Sequence, residues 1–171
     1  MNSAVTPLVR IPVGVVIERH RASSPWIDFT WRAVGILEGV PDASPWTVLS
    51  ASDDVTRFYG GSADIELYRT ETALYRDNLA SGSPGLWVVM IPTDADPPYK
   101  LLTVTADPAE GEGLTESAAN IVEQVPMPAS VVQVVERFIA QHHVEREFIK
   151  RKRDRADPNA LSRRGYGDHD E

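Results

Sequence analysis

Arg57-Phe58-Tyr59-Gly60-Gly61-Ser62-Ala63-Asp64-Ile65-Glu66-Leu67-Tyr68 is the stretch on which the fold turns. Its two halves are β-like: aromatic residues crowd the first, and Ala63, Ile65 and Leu67 alternate with polar neighbours in the second. Between them stands Gly60-Gly61, and glycine supplies positive φ without steric cost. The segment therefore predicts a hairpin, with one strand ending at Tyr59 and another running from Ala63 to Tyr68.

Strand signals extend to both sides. Ile11, Val13, Val15 and Ile17 alternate, as do Phe29, Trp31, Ala33, Gly35 and Leu37, and Trp46–Leu49 is a shorter candidate. Pro12 lacks an N–H, so the first strand is expected at a sheet edge or beginning after Pro12. Leu86–Ile91 is apolar on both faces, the mark of a central strand. Tyr99, Leu101, Thr103 and Thr105 start another, and Asn120–Val125 adds one more. Thr70–Leu79 reads as a short helix that Ser81-Gly82 stops. Pro126 and Pro128 bracket a second helix start, and Val131, Val132, Val135, Phe138, Ile139 and His142 recur at helical spacing from Ser130 to about Ile149. The expected fold is an α+β class: a β-rich body of about seven mostly antiparallel strands, sandwich or small barrel, with a C-terminal helix. The domain plan is a flexible stretch over 1–7, a single domain over 8–149, and a largely disordered tail over 150–171, basic and then acidic.

At 171 residues without cysteine, the chain needs no staple to fold and offers no disulfide, thiolate metal site or cysteine nucleophile. No secretory signal is evident, and the longest apolar run falls far short of the ~20 residues that span a bilayer. A soluble, cytoplasmic protein without membrane contact is expected. Residues 1–144 carry 9 Lys/Arg and 18 Asp/Glu, a net of −9, whereas residues 145–171 carry 8 and 7. So acidic a body argues against a nucleic-acid face.

Chemical motifs are sparse. In His142-His143-Val144-Glu145, a continuing helix would place His142 and Glu145 on one face, with His143 about 100° away. That lacks the paired same-face histidines of a zinc helix, so no metal site is assigned and the three remain candidates for a small ligand. Asp107-Pro108-Ala109-Glu110-Gly111-Glu112-Gly113 lacks calcium-loop spacing and reads as a solvated loop. There is no nucleophile elbow or phosphate loop, so no catalytic residue and no cofactor are assigned. Lys150, Arg151, Lys152, Arg153 and Arg155 form the sharpest charge feature. They serve to grip an acidic protein surface, a phosphate-rich cofactor or, least favoured, RNA, or else they are a solvated helix end or fold back on the acidic body. Trp26, Trp31, Trp46 and Trp87 are expected mostly in the core. Two of them lie in the echo Ser24-Pro25-Trp26 and Ser44-Pro45-Trp46, each a turn before a strand.

Several segments together carry a family resemblance: Pro12-Val13-Gly14-Val15-Val16-Ile17-Glu18-Arg19, the two Ser-Pro-Trp turns, Tyr75-Arg76-Asp77-Asn78-Leu79, Leu86-Trp87-Val88-Val89, Thr105-Ala106-Asp107-Pro108, and His142-His143-Val144-Glu145 running into Phe148-Ile149-Lys150-Arg151. The chain resembles, roughly from Pro12 to Arg164, a bacterial family of uncharacterised domains often encoded near molybdenum-dependent formate dehydrogenase. The resemblance implies a context: maturation or assembly of that enzyme, with one of its subunits or maturation factors as partner. The expected function is a non-catalytic accessory or adaptor protein. The alternative is a small-molecule- or metal-binding domain, possibly enzymatic, with its site near His142.

Overall fold

A computed structural model describes residues 5–144. The glycine pair is where it departs furthest from the sequence reading. Val55–Leu67 is one continuous strand, β4, antiparallel to β1 (Val9–Arg21) along nearly its whole length. Val15 faces Gly61 and Val16 faces Tyr59, so Gly60 is the extra residue of a β-bulge rather than part of a turn. A Cβ on Gly60 would lie 2.5 Å from Ile17 Cγ1, and Gly61 adopts φ +116°. Both positions need glycine, for bending a strand instead of reversing it.

Strands β2 (Phe29–Glu38) and β3 (Thr47–Ala51) complete an antiparallel sheet in the order β2-β1-β4-β3. β1 starts ahead of Pro12 and is central, which corrects the edge expectation in part. Its pairing with β2 begins only at Gly14, so Pro12 falls where β1 is locally the edge. The second sheet, β6-β5-β7, comprises β5 (Gly85–Pro92), β6 (Tyr99–Thr105) and β7 (Ile121–Pro126), with β5 central as its apolar run predicts. β4 lies beside β6 and β2 beside β7, but no ladder joins the sheets. Seven antiparallel strands thus form two sheets and not a closed barrel.

Helix α1 (Thr72–Ala80) follows a 3-10 turn at Arg69–Glu71, and α3 (Ala129–His142) ends the described chain. α3 buries Val131, Val135 and Phe138, one stripe at helical spacing, in a core shared with Val13, Val15, Ile17, Ile65, Leu67, Leu86, Val88 and Met90 from both sheets. α3 stops at His142, short of the expected Ile149, because His143 is extended (φ −73°, ψ 124°). The acidic segment 107–113 corrects a second expectation. It forms a short helix, α2 (Pro108–Gly113), with Asp107 Oδ1 accepting from the Ala109 and Glu110 amides. Aspartate at the N-cap, proline next and glutamate at the third position is a helix-start signature that the acid- and glycine-rich composition masks.

Three polar ties hold α1 to the sheets. Asn78, 4% exposed, donates from Nδ2 to the Gly85 and Ala106 carbonyls at 2.8 and 3.0 Å, and its Oδ1 accepts from the Gly85 amide at 3.0 Å. The four tryptophans divide. Trp31 and Trp46 meet edge-on at 5.7 Å and both pack on Phe58, while the Arg19 guanidinium lies 4.3 Å above the Phe29 ring. Trp87 is half-buried beneath α2, where a Cβ on Gly111 would strike its ring. Trp26 is 90% exposed. Both Ser-Pro-Trp turns do precede strands, but only Trp46 is a core anchor.

Candidate functional site

The end of α3 and the start of α1 enclose a cleft of about 710 Å³, bordered by Arg69, Thr72, Arg76, His142 and His143. Phe138 and Tyr75, ring to ring at 6.1 Å, pack the two helices together, and His142 lies 4.6 Å from the Phe138 ring. His143 joins them polarly: Arg76 Nη1 lies 3.1 Å from its Nε2, and Thr72 Oγ1 lies 3.0 Å from its Nδ1. A guanidinium only donates, so Nε2 must accept and Nδ1 carries the proton. His143 is therefore the neutral Nδ1–H tautomer, and it donates to Thr72. It is half-buried, and the two histidines line one cleft.

Of the residues proposed from sequence, His142 and His143 meet here. Glu145 lies outside the described residues, as do Lys150, Arg151, Lys152, Arg153 and Arg155. Arg69 and Arg76 were missed as site residues. They sit far from residue 143 in the chain, and nothing local signals that helix packing brings them to it. Among the described residues no group of three His, Asp or Glu side chains could hold a metal.

Two other polar clusters were also invisible in the sequence. On the outer face of the first sheet, the carboxylate of Glu18 accepts from His20 Nε2 and Arg57 Nε, both at 2.7 Å. The hydrogen bond from His20, then that from Arg57, hold its pKa below the ordinary glutamate value, against an opposing push from burial. A depressed folded-state pKa stabilises the fold above the unfolded value and is lost as pH falls through the folded one. Stability is thus expected to decline on acidification below about pH 4.5, and Glu18→Gln to flatten that limb. Denaturant midpoints measured from neutral to acid pH check this; parallel curves for the two proteins would refute it. In the seam between β4 and β6, the Tyr68 phenol donates to Glu66, and chiefly for that reason its pKa is pushed up to about 12. Asp64, Glu66 and Glu110 make this seam acidic, opposite in sign to the cleft.

A family model described as a protein of unknown function, DUF3305, matches residues 12–152. The chain belongs to the DUF3305 family. The match takes in both sheets, the cleft and the first three cations of the basic run, Lys150, Arg151 and Lys152, while Arg153 and Arg155 fall beyond it. No curated protein and no solved structure matches the chain. The cleft, with its four cationic or protonatable side chains, is accordingly the site in this DUF3305 domain on which geometry alone has the most to say. No helix among the described residues is long and apolar enough to cross a membrane.

Proposed function

We propose that the protein is a non-catalytic accessory or adaptor protein that binds another protein through the α1–α3 end. One observation carries the reading: Arg69, Arg76, His142 and His143 gather at the point from which the chain continues toward Lys150–Arg155. Residues 1–144 as a whole carry a net charge of −9. Such a cluster on a chain of net charge −8 favours a partner that presents anionic groups and steers its approach. The family resemblance supplies the first candidates, a subunit or maturation factor of a molybdenum-dependent formate dehydrogenase.

Binding of the full chain to these purified candidates tests the reading. A chain ending at Val144 is expected to bind at least about tenfold more weakly, ~1.4 kcal/mol, and the full chain to weaken as salt rises. Undiminished binding by the shortened chain removes the basic run from the interface, and no binding by any candidate removes the formate dehydrogenase context.

A further inference from the structure

The tautomer of His143 has a consequence for Thr72. Because Thr72 Oγ1 accepts the proton of His143 Nδ1, its own O–H is left over, and no acceptor for it is present among the described residues. Thr72 is only 5% exposed, yet it borders the cleft. That O–H is left to be received by whatever occupies the cleft.

The surroundings all favour one kind of receiver. Thr72 opens α1, which continues the 3-10 turn Arg69–Glu71 without a break, and this places Arg69 one turn before it. Arg69 makes no ion pair or hydrogen bond with another described residue, and the ring nitrogens of His142 are likewise unengaged there. Arg76 adds a second guanidinium, already hydrogen-bonded to His143. The carboxylate of the neighbouring Glu71 accepts the hydroxyl of Thr70. Side-chain donors therefore dominate: a buried O–H, a guanidinium and an imidazole.

We infer that this cleft is an oxyanion site whose occupant is a phosphate group, held by the side chains of Thr72, Arg69 and His142. The inference rests on reading the α1–α3 end as the binding face and names the chemistry of what it takes. At about 710 Å³ the cleft exceeds what a lone phosphate fills and lies within the roughly 300–1,000 Å³ of small-molecule sites. The phosphate is thus carried by a larger molecule.

Titration of the full chain with inorganic phosphate tests this by NMR, with chloride at matched ionic strength as control and no partner protein present. Saturable shifts are expected at the amides of Thr72 and Ala73 and at the His142 ring. Arg69→Ala should weaken phosphate at least about fivefold with the spectrum otherwise unchanged. Thr72→Val should weaken it comparably and Thr72→Ser restore it, which a merely structural role for the methyl group would not do. A ribonucleoside monophosphate and a phosphoserine peptide are the two further arms, and whichever binds more tightly than phosphate identifies the carrier. Equal effects of chloride and phosphate, or phosphate shifts untouched by Arg69→Ala, would overturn the inference. Because no partner is used, such failure leaves tail-dependent partner binding to stand or fall by itself.

Discussion

Asn78→Ala is expected to cost the fold about 4 kcal/mol, a large part of the roughly 5–15 kcal/mol that holds a domain together. The side chain satisfies three buried backbone groups, the amide and carbonyl of Gly85 and the carbonyl of Ala106. Leu86 and Ala106 are fully buried, so water does not replace what alanine removes. Each orphaned group forfeits about 1–3 kcal/mol, partly recovered by relaxation. Asn78→Asp discriminates further. It keeps the acceptor for the Gly85 amide but faces two carbonyls with a carboxylate, and should be no better than alanine. Equilibrium denaturation with urea reads both, and a loss under about 1 kcal/mol for Asn78→Ala would mean that α1 is held by apolar packing alone.

Gly60→Ala should cost about 3 kcal/mol, at the upper end of the usual penalty for overfilling a core. The new methyl would sit 2.5 Å from Ile17 Cγ1, and Ile17 is fully buried and cannot swing aside. The clash has a specific partner, so it has a specific remedy. Ile17→Ala, costly in the parent protein at ~2–5 kcal/mol, should be cheaper by at least about 1 kcal/mol in the Gly60→Ala background. Additive losses in the double variant would show that backbone strain at the bulge, not the contact with Ile17, sets the penalty.

The same glycine shows where sequence reading reached its limit. A turn and a bulge ask for the same residue, and only the partner strand tells them apart. β1 is long enough to pair with both halves of β4, which no local window reveals. Elements whose periodicity is local were legible: the alternation around Val15, the apolar run of β5 and the stripe Val131, Val135, Phe138 all appear where expected. Helix α2 was readable in principle from Asp107-Pro108 and Glu110, but its glycines and acids resemble a loop by composition. The cleft was half legible. Adjacent histidines stand out in a chain with four, whereas Arg69 and Arg76 gain meaning only when α1 packs on α3. The same holds for Glu18, His20 and Arg57, which a ladder between distant strands brings together.

The order β2-β1-β4-β3 also bears on how the chain finds its structure. β1–β2 and β3–β4 are hairpins between neighbours in sequence, so either can form early at small entropic cost. The ladder that joins them pairs Val9 with Leu67 and His20 with Val55, and the second sheet skips β6 to pair β5 with β7. Contact order is therefore set by the β1–β4 seam. Folding belongs to the millisecond-to-second regime of non-local β topologies, and its barrier lies in docking two ready hairpins, with Gly60 at the middle of the join.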